Sequence, residues 1–558
     1  MGRSWKVRLV GSLLAVVLAG AGCSDDGGGA ASGADGTTST TSSTVPGAPD
    51  GERLTECDRG ATVDRVVSRP VDGVPSDHVV TSFDGTEIRV HWFPADEAGE
   101  PAPTVLMGPG WSLAGDTSEE GAPLFGALSI GGMNEAGYHV LTWDPRGFGE
   151  SGGSAQVNDP EHEGRDVQLL LDWVAERPEA LTDAPGDPRA GMVGFSYGGG
   201  IQLTVAGLDC RVDAIVPGLA WNSLETSLYR SGLVKTGWAG VLIDAAATGQ
   251  VDPHTVSAHE SGLATGVLSE EDRDWFLARG PAELVEQVDV PTLLVHGTVD
   301  TLFTLDEAVT NHEVLARRGV PVAMVWFCGG HGTCRTGGGG EERVSERTFA
   351  WLDHHLKGDG SVEVGPGFET VDQDGNSWTA PSYPPERGEP LDASGSGRLA
   401  LQEAGGSRLE GAPLGPGLLD GLVWGITPGV AAHALQVTVE GPDDEGLVLG
   451  APSLRLTYRG TAPDGKRPTR VFAQVVDDER GVVVGNQVTP VPAELDGDSH
   501  TVEVDLETIV HRLEAGETLT LQLVATTSAY AMPRLGGEVT FERIEVSLPT
   551  AEGVERRG

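Results

Sequence analysis

Between Val79 and Phe93 apolar and polar residues alternate about Asp84-Gly85, a pattern that predicts a β-hairpin. The pattern then changes to short, mostly apolar runs: Thr104–Met107, Tyr138–Trp143, Ala190–Val193, Val212–Val216, Pro291–Val295 and Val322–Trp326. Runs of this kind belong to strands buried on both faces. Helical spacing lies between them, as in Val167, Leu170, Leu171 and Val174. The expected core is therefore of the α/β class, a mostly parallel, doubly wound sheet covered by helices on both sides.

One interval is too long for a simple crossover. Trp221–Gln287 carries apolar residues at irregular helical spacing and few strand signals, and predicts a helical cap insertion over 221–288 between two parts of the α/β domain, 51–220 and 289–365. Its aromatics, Trp221, Tyr229, Trp238 and Trp275, are expected to pack internally, and a cap over such a sheet is where a pocket forms. After Leu356-Lys357-Gly358 strict alternation returns, as in Leu454-Arg455-Leu456-Thr457-Tyr458 and Leu519-Thr520-Leu521-Gln522-Leu523, with Gly-, Pro- and Asp-rich turns between. This predicts an all-β antiparallel sandwich over 366–558.

The first residues do not belong to the fold. Arg3, Lys6 and Arg8 precede an apolar run, Val10–Leu18, that is too short to span a membrane, and Ala19-Gly20-Ala21-Gly22 leads into Cys23. Residues 1–23 read as a lipoprotein-type signal peptide ending at a lipidated Cys23, simple cleavage and secretion being the alternative. Residues 24–50, nearly all Gly, Ser, Thr, Ala and Asp, read as a flexible tether. The expected location is the bacterial cell surface, with the membrane contacted only through the lipid.

Composition narrows the partners. With 37 Lys and Arg against 83 Asp and Glu, the net charge of −46 disfavours nucleic acid and anionic lipid surfaces. Of five cysteines, four remain once Cys23 is set aside, an even number in an oxidising compartment. Cys328 and Cys334 bracket His331 at short range and form the expected pair, which leaves Cys57 with Cys210. Neither C-x-x-C, H-E-x-x-H nor H-x-x-E-H spacing occurs, so no metal and no cofactor is expected.

The chemistry is expected at Gly194-Phe195-Ser196-Tyr197-Gly198, where one serine stands between two glycines directly after an apolar run. Such a stretch turns a strand sharply into a helix and exposes the serine as a nucleophile. A second G-x-S-x-G, Gly149–Gly153, follows a charged, glycine-rich segment instead of a strand and reads as a loop. A serine nucleophile needs a base and a group to orient it. Two later strand ends offer them: Asp300 after Pro291–Val295, with Asp306 or Glu307 as alternatives, and His331 after Val322–Trp326. The other histidines, among them His296, His312, His354 and His355, read as structural or exposed. For the oxyanion, the elbow supplies the N–H of Tyr197; the second donor is expected from Gly108-Pro109-Gly110-Trp111.

These residues together carry a resemblance. The elbow, Glu163, Asp166 and Asp172-Trp173 before it, Asp144-Pro145-Arg146-Gly147-Phe148-Gly149-Glu150-Ser151-Gly152, Leu356-Lys357-Gly358 and Asn486–Pro490 resemble the X-Pro dipeptidyl-peptidase and cocaine-esterase family of α/β-hydrolases. The resemblance implies a C-terminal jelly roll and a range of activities over peptidases, esterases and acylases. Many members place a Tyr hydroxyl in the oxyanion hole. No Tyr lies between Gly108 and Ser112 here, so a backbone N–H of Gly110 or Trp111, or the Trp111 indole, stands in.

The expected function is a surface-anchored serine hydrolase that cleaves small peptides or amides in the X-Pro dipeptidyl-peptidase manner through an acyl-enzyme, with Ser196, Asp300 and His331 as its catalytic residues. Alternatives are a carboxylesterase or acylase of the same family, or a non-catalytic surface binding lipoprotein. Cap acids such as Glu225, Asp244 and Glu260 are read either as partners for a substrate's free amine or as solvated surface.

Overall fold

A computed structural model describes residues 65–95, 101–120, 127–335, 339–411 and 418–557. Cys23 and Cys57, and with them the expected signal peptide, tether and lipid site, lie outside the described residues. Twelve strands form one sheet, in the spatial order Ser68–Val71, Val74–Thr81, Glu87–Phe93, His139–Trp143, Thr104–Gly108, Ala190–Phe195, Val212–Gly218, Thr292–Gly297, Val322–Phe327, Phe368–Val371, Ser377–Ala380 and Glu555–Arg557. From His139–Trp143 to Phe368–Val371 each neighbouring pair is parallel, and antiparallel strands flank both sides. The apolar runs are the central strands, and the fold is the expected α/β-hydrolase with a C-terminal β-sandwich.

Helices cover both faces because the crossovers bury one stripe each. On Arg165–Ala175, Val167, Leu170, Leu171 and Val174 meet the sheet; on Glu341–His355, Val344, Trp351 and Leu352 pack on the opposite side. Helix Leu305–Arg318 sets Arg317 and Arg318 in its last turn, where their charge matches the helix dipole, and ends at Gly319 in the left-handed conformation.

Between strands Val212–Gly218 and Thr292–Gly297 the chain forms the helices Leu224–Leu228, Thr236–Ala245, Pro253–Thr265, Glu270–Leu277 and Ala282–Val285. Ser223, Asp252 and Ser269 cap three of them, and Pro253 opens one at a position where its missing N–H costs nothing.

The sandwich expected over 366–558 differs at both ends, since the last strand, Glu555–Arg557, also pairs with Ser377–Ala380 in the hydrolase sheet. Strands Phe368–Val371 and Ser377–Ala380, assigned by their alternation to the sandwich from residue 366, instead extend the hydrolase sheet. Phe368, Trp378 and Ala380 share a core with Met324 and Trp326. The sandwich itself begins at Glu386, where strand Glu386–Arg387 pairs with Thr550–Glu552, and strand Leu391–Ala400 then pairs with Glu538–Leu548. It is also not purely β: helix Leu418–Ile426 interrupts it, and Val423 packs into the same cluster as Trp111 and Trp238. Period-two alternation reports a half-buried strand but not which sheet receives it.

At the elbow, strand and helix approach so closely that a side chain has no room. A Cβ on Gly198 would lie 2.1 Å from the Gly108 carbonyl oxygen, a fixed backbone atom. Gly198→Ala is therefore expected to lower stability by about 1–3 kcal/mol or more through forced separation of the elbow helix from its neighbouring strand. Gly240→Ala, whose Cβ would meet nothing within 4 Å, leaves the thermal midpoint unchanged or slightly raised. Thermal unfolding of the two variants beside the parent checks the contrast.

Candidate active site

Ser196 sits between strand Ala190–Phe195 and helix Tyr197–Leu208 with φ 59° and ψ −116°, a conformation L-residues rarely adopt. The strain is held by its surroundings. The Ser196 N–H donates to the Gly218 carbonyl at 2.8 Å, and Gly199 and Gly200 donate back to the Ser196 carbonyl, both at 2.9 Å.

Asp300 and His331 lie in the loops that leave strands Thr292–Gly297 and Val322–Phe327, two and three places along the sheet from the elbow strand. His331 Nε2 lies 2.8 Å from Ser196 Oγ, and His331 Nδ1 lies 2.7 Å from Asp300 Oδ2. The same carboxylate oxygen accepts the His331 backbone N–H at 3.0 Å, while Oδ1 accepts from Leu302 and Phe303 N–H, both at 2.9 Å. Burial works against the charge on Asp300, but the imidazole and these donors outweigh it and hold the carboxyl below its ordinary value. A carboxylate so placed favours the tautomer with Nδ1 protonated, which leaves Nε2 able to accept a proton. Asp306 and Glu307 do not reach His331: Asp306 accepts from Thr508, and Glu307 from Asn222, Ser223 and Thr226.

The backbone N–H groups of Tyr197, Gly110 and Trp111 have no backbone acceptor among the described residues. The Trp111 indole, by contrast, is spent: it donates to the Leu242 carbonyl at 3.0 Å, so its ring serves the cap interface. Ser151, in the second G-x-S-x-G, is a loop pin. Its hydroxyl donates to the Asp144 carbonyl at 2.7 Å and accepts from Arg89 N–H at 2.8 Å.

Cys328 and Cys334 are bonded to each other, with Cα atoms 5.7 Å apart, and close the loop that carries His331. Cys210 is also disulfide-bonded; its expected partner, Cys57, is outside the described residues. Trp238 from the cap and Phe303 set their rings edge-on to the His331 imidazole, with centroids at 5.9 and 5.2 Å.

The sandwich also reaches the site, through residues that the sequence offered only as part of the Asn486–Pro490 string. Gln487 Nε2 donates to the Asp300 carbonyl at 2.8 Å, and Asn486 Nδ2 donates to the Thr333 carbonyl at 3.1 Å. Nearby, Thr304 Oγ1 donates to Glu507 at 2.9 Å, and Glu507 faces Arg230 of the cap at 3.4 Å. Burial and the neighbouring Glu507 raise the Asp306 carboxyl well above its ordinary value, whereas Arg230 and Lys235 favour the charged form of Glu507 and hold its carboxyl below the ordinary value. Lys235 is buried and donates to the Leu302 carbonyl at 2.9 Å.

A second layer supports the elbow from below. Val157 and Asn158 both have positive φ, 61° and 57°, which for a β-branched Val is a strained state. Asn158 Nδ2 donates to the Tyr197 carbonyl at 2.7 Å, and the Tyr197 hydroxyl donates to Glu163 Oε1 at 3.1 Å. Glu163 also accepts from Gln156 N–H at 2.6 Å and Asp159 N–H at 3.2 Å.

The cavity beside Ser196 has a volume of about 90 Å³. Its walls combine Trp111 and Tyr197 of the hydrolase module with Leu228, Leu242 and Phe276 of the cap.

Residues 84–333, which include Ser196, Asp300 and His331, match the family model described as X-Pro dipeptidyl-peptidase (S15 family). Among solved structures the chain is similar to a CocE/NonD family hydrolase from Staphylococcus aureus, 16% identical with a TM-score of 0.59 over 89% of this chain and 100% of that one. It is also similar to an aminopeptidase from the marine sediment archaeon Thaumarchaeota archaeon, 13% identical with a TM-score of 0.61 over 89% of this chain and 99% of that one. At these identities the likeness is one of fold. An uncharacterised 31.7 kDa protein of Escherichia coli is 38% identical over 89 residues, 16% of this chain and 29% of that protein. The chain thus spans under a third of the length of such curated relatives.

Burial pushes the Glu163 carboxyl up to about 8, against the backbone donors that favour its charged form. The folded protein then keeps a proton that the unfolded chain releases near 4.5, so stability is full at acid pH and is lost as pH rises through about 8. In Glu163→Gln this loss is expected to disappear. Thermal midpoints measured for both proteins from pH 5 to pH 9 check it.

Proposed function

From the membership of its hydrolase module in the X-Pro dipeptidyl-peptidase (S15) family, we propose that this protein is a serine hydrolase that cleaves amides or esters through an acyl-enzyme, with Ser196 as nucleophile, His331 as base and Asp300 as its orienting acid. The observation that carries the reading is the continuous hydrogen-bonded chain Ser196 Oγ, His331 Nε2, His331 Nδ1, Asp300 Oδ2, at 2.8 and 2.7 Å.

In this reading Ser196 Oγ attacks the substrate carbonyl carbon as its proton passes to His331 Nε2. The oxyanion accepts from the Tyr197 N–H and from the backbone N–H of Gly110 or Trp111, groups with no backbone acceptor in the protein among the described residues. The bond to the leaving group then breaks as His331 returns the proton to it. Water, deprotonated by the same imidazole, releases the acyl group and restores Ser196. Asp300 stays ionised throughout, consistent with its lowered pKa. Peptidase and esterase chemistry both fit these steps. X-Pro dipeptidyl-peptidase action is the finer form the family name suggests, and carboxylester cleavage is its alternative.

A fluorophosphonate probe is expected to modify Ser196 and to leave Ser151 untouched, as read by peptide mass mapping. Ser196→Ala and His331→Ala each lower turnover by about 10⁴-fold or more, and Asp300→Asn by less. An intact, folded protein that resists the probe and hydrolyses neither esters nor amides would favour a binding role instead.

We further propose that the protein is exported and anchored through Cys23, on the strength of Arg3, Lys6, Arg8 and the short apolar run before it. Cells fed a fatty-acid analogue are expected to label the parent protein and not Cys23→Ser. Equal labelling of both rejects the anchor.

A further inference from the structure

The walls of the cavity at Ser196 carry more information than the reacting residues do. Leu228, Val234, Leu242, Leu268 and Phe276 of the cap face Val157 of the strained loop across it. Among the described residues no Asp, Glu, Lys or Arg lines it; its polar side-chain atoms belong to Ser196, Tyr197, Thr255, His259 and the indoles of Trp111 and Trp221.

The carboxylates nearby are committed elsewhere. Both oxygens of Asp300 are taken by the His331 imidazole and by backbone N–H groups. Glu163 lies behind Tyr197 and accepts from the Tyr197 hydroxyl and two backbone N–H groups. Of the cap acids considered as amine partners, Glu225 is paired with Arg273, and Asp244 and Glu260 are exposed. None of the three lines the cavity.

The acyl part of a substrate stays bonded to Ser196 Oγ while the first product departs. The group held under the cap is therefore the acyl group, and the leaving group needs the route to solvent. A cavity of about 90 Å³ admits several water-sized groups, enough for a short hydrocarbon chain. A protonated amine placed there loses its hydration and finds no carboxylate in exchange among the described residues.

We infer that the cavity selects an uncharged, apolar acyl group and excludes one that ends in a free ammonium. This rests on the serine-hydrolase reading above. It assigns the protein to neutral acyl esters or acyl amides, and away from removal of residues from peptide N-termini, where the acyl fragment carries an ammonium group.

The test compares p-nitrophenyl heptanoate with p-nitrophenyl ε-aminohexanoate, in which an ammonium replaces the terminal methyl. The heptanoate is expected to exceed the amino ester in kcat/KM by about 100-fold or more, the order set by stranding an unpaired ammonium. Leu268→Glu, which adds a carboxylate to a half-buried wall position, is expected to narrow that gap at least about tenfold, since an opposite charge then meets the ammonium. Equal rates for the two esters in the parent protein, or an unchanged gap in the variant, overturn the inference. Labelling of Ser196 by a fluorophosphonate with no turnover of the heptanoate overturns it too, and leaves the serine-hydrolase reading standing. Absence of both labelling and turnover removes that reading, and the inference with it.

Discussion

Everything at the site depends on the backbone turn at Ser196. A residue held at φ 59° and ψ −116° costs energy of order 1–3 kcal/mol and persists only where neighbouring structure leaves no relaxed alternative. Here the constraint comes from contact between main chains. Gly194, Gly198 and Gly108 approach so closely that Cβ atoms on the first two would strike carbonyl oxygens, and the Ser196 N–H is tied to Gly218 in the next strand. The turn leaves the Tyr197 N–H without a backbone partner among the described residues and brings Ser196 Oγ to His331. Asn158, in the strained pair Val157-Asn158, bonds to Tyr197 from beneath, so strain at the elbow is supported by strain in the loop under it.

The site is completed by three parts of the chain that are remote in sequence. The sheet contributes Ser196, Asp300 and His331. The cap contributes the apolar walls, the Trp238 ring beside the imidazole, and Lys235, whose ammonium holds the Leu302 carbonyl. The sandwich contributes Gln487 on the Asp300 carbonyl and Asn486 on the loop after His331. It also contributes Glu507 and Thr508, which meet Asp306, Thr304 and Arg230 in a buried cluster. Buried charges of this kind give little net stability, but removing one partner leaves an uncompensated charge. These contacts make the sandwich part of the apparatus that orients Asp300 and His331, as well as a neighbouring domain.

What the sequence by itself determined is what local physics controls. Short, mostly apolar runs placed the central strands, glycine spacing placed the elbow, and carboxylate and imidazole positions after two later strands indicated Asp300 and His331. Each of these follows from steric or burial requirements within a few residues. Tertiary structure alone decided the rest. The Trp111 indole, a reasonable oxyanion donor by position, is drawn to a carbonyl 131 residues away. Phe368–Val371 and Ser377–Ala380 alternate like sandwich strands but pair with the hydrolase sheet. Gln487 reaches Asp300 from 187 residues downstream, and the cap acids turn away from a cavity that only folding assembles. Periodicity records that a face is buried, whereas its partner is chosen by contacts distant in sequence, and hydrogen-bond donors are assigned only when those contacts form.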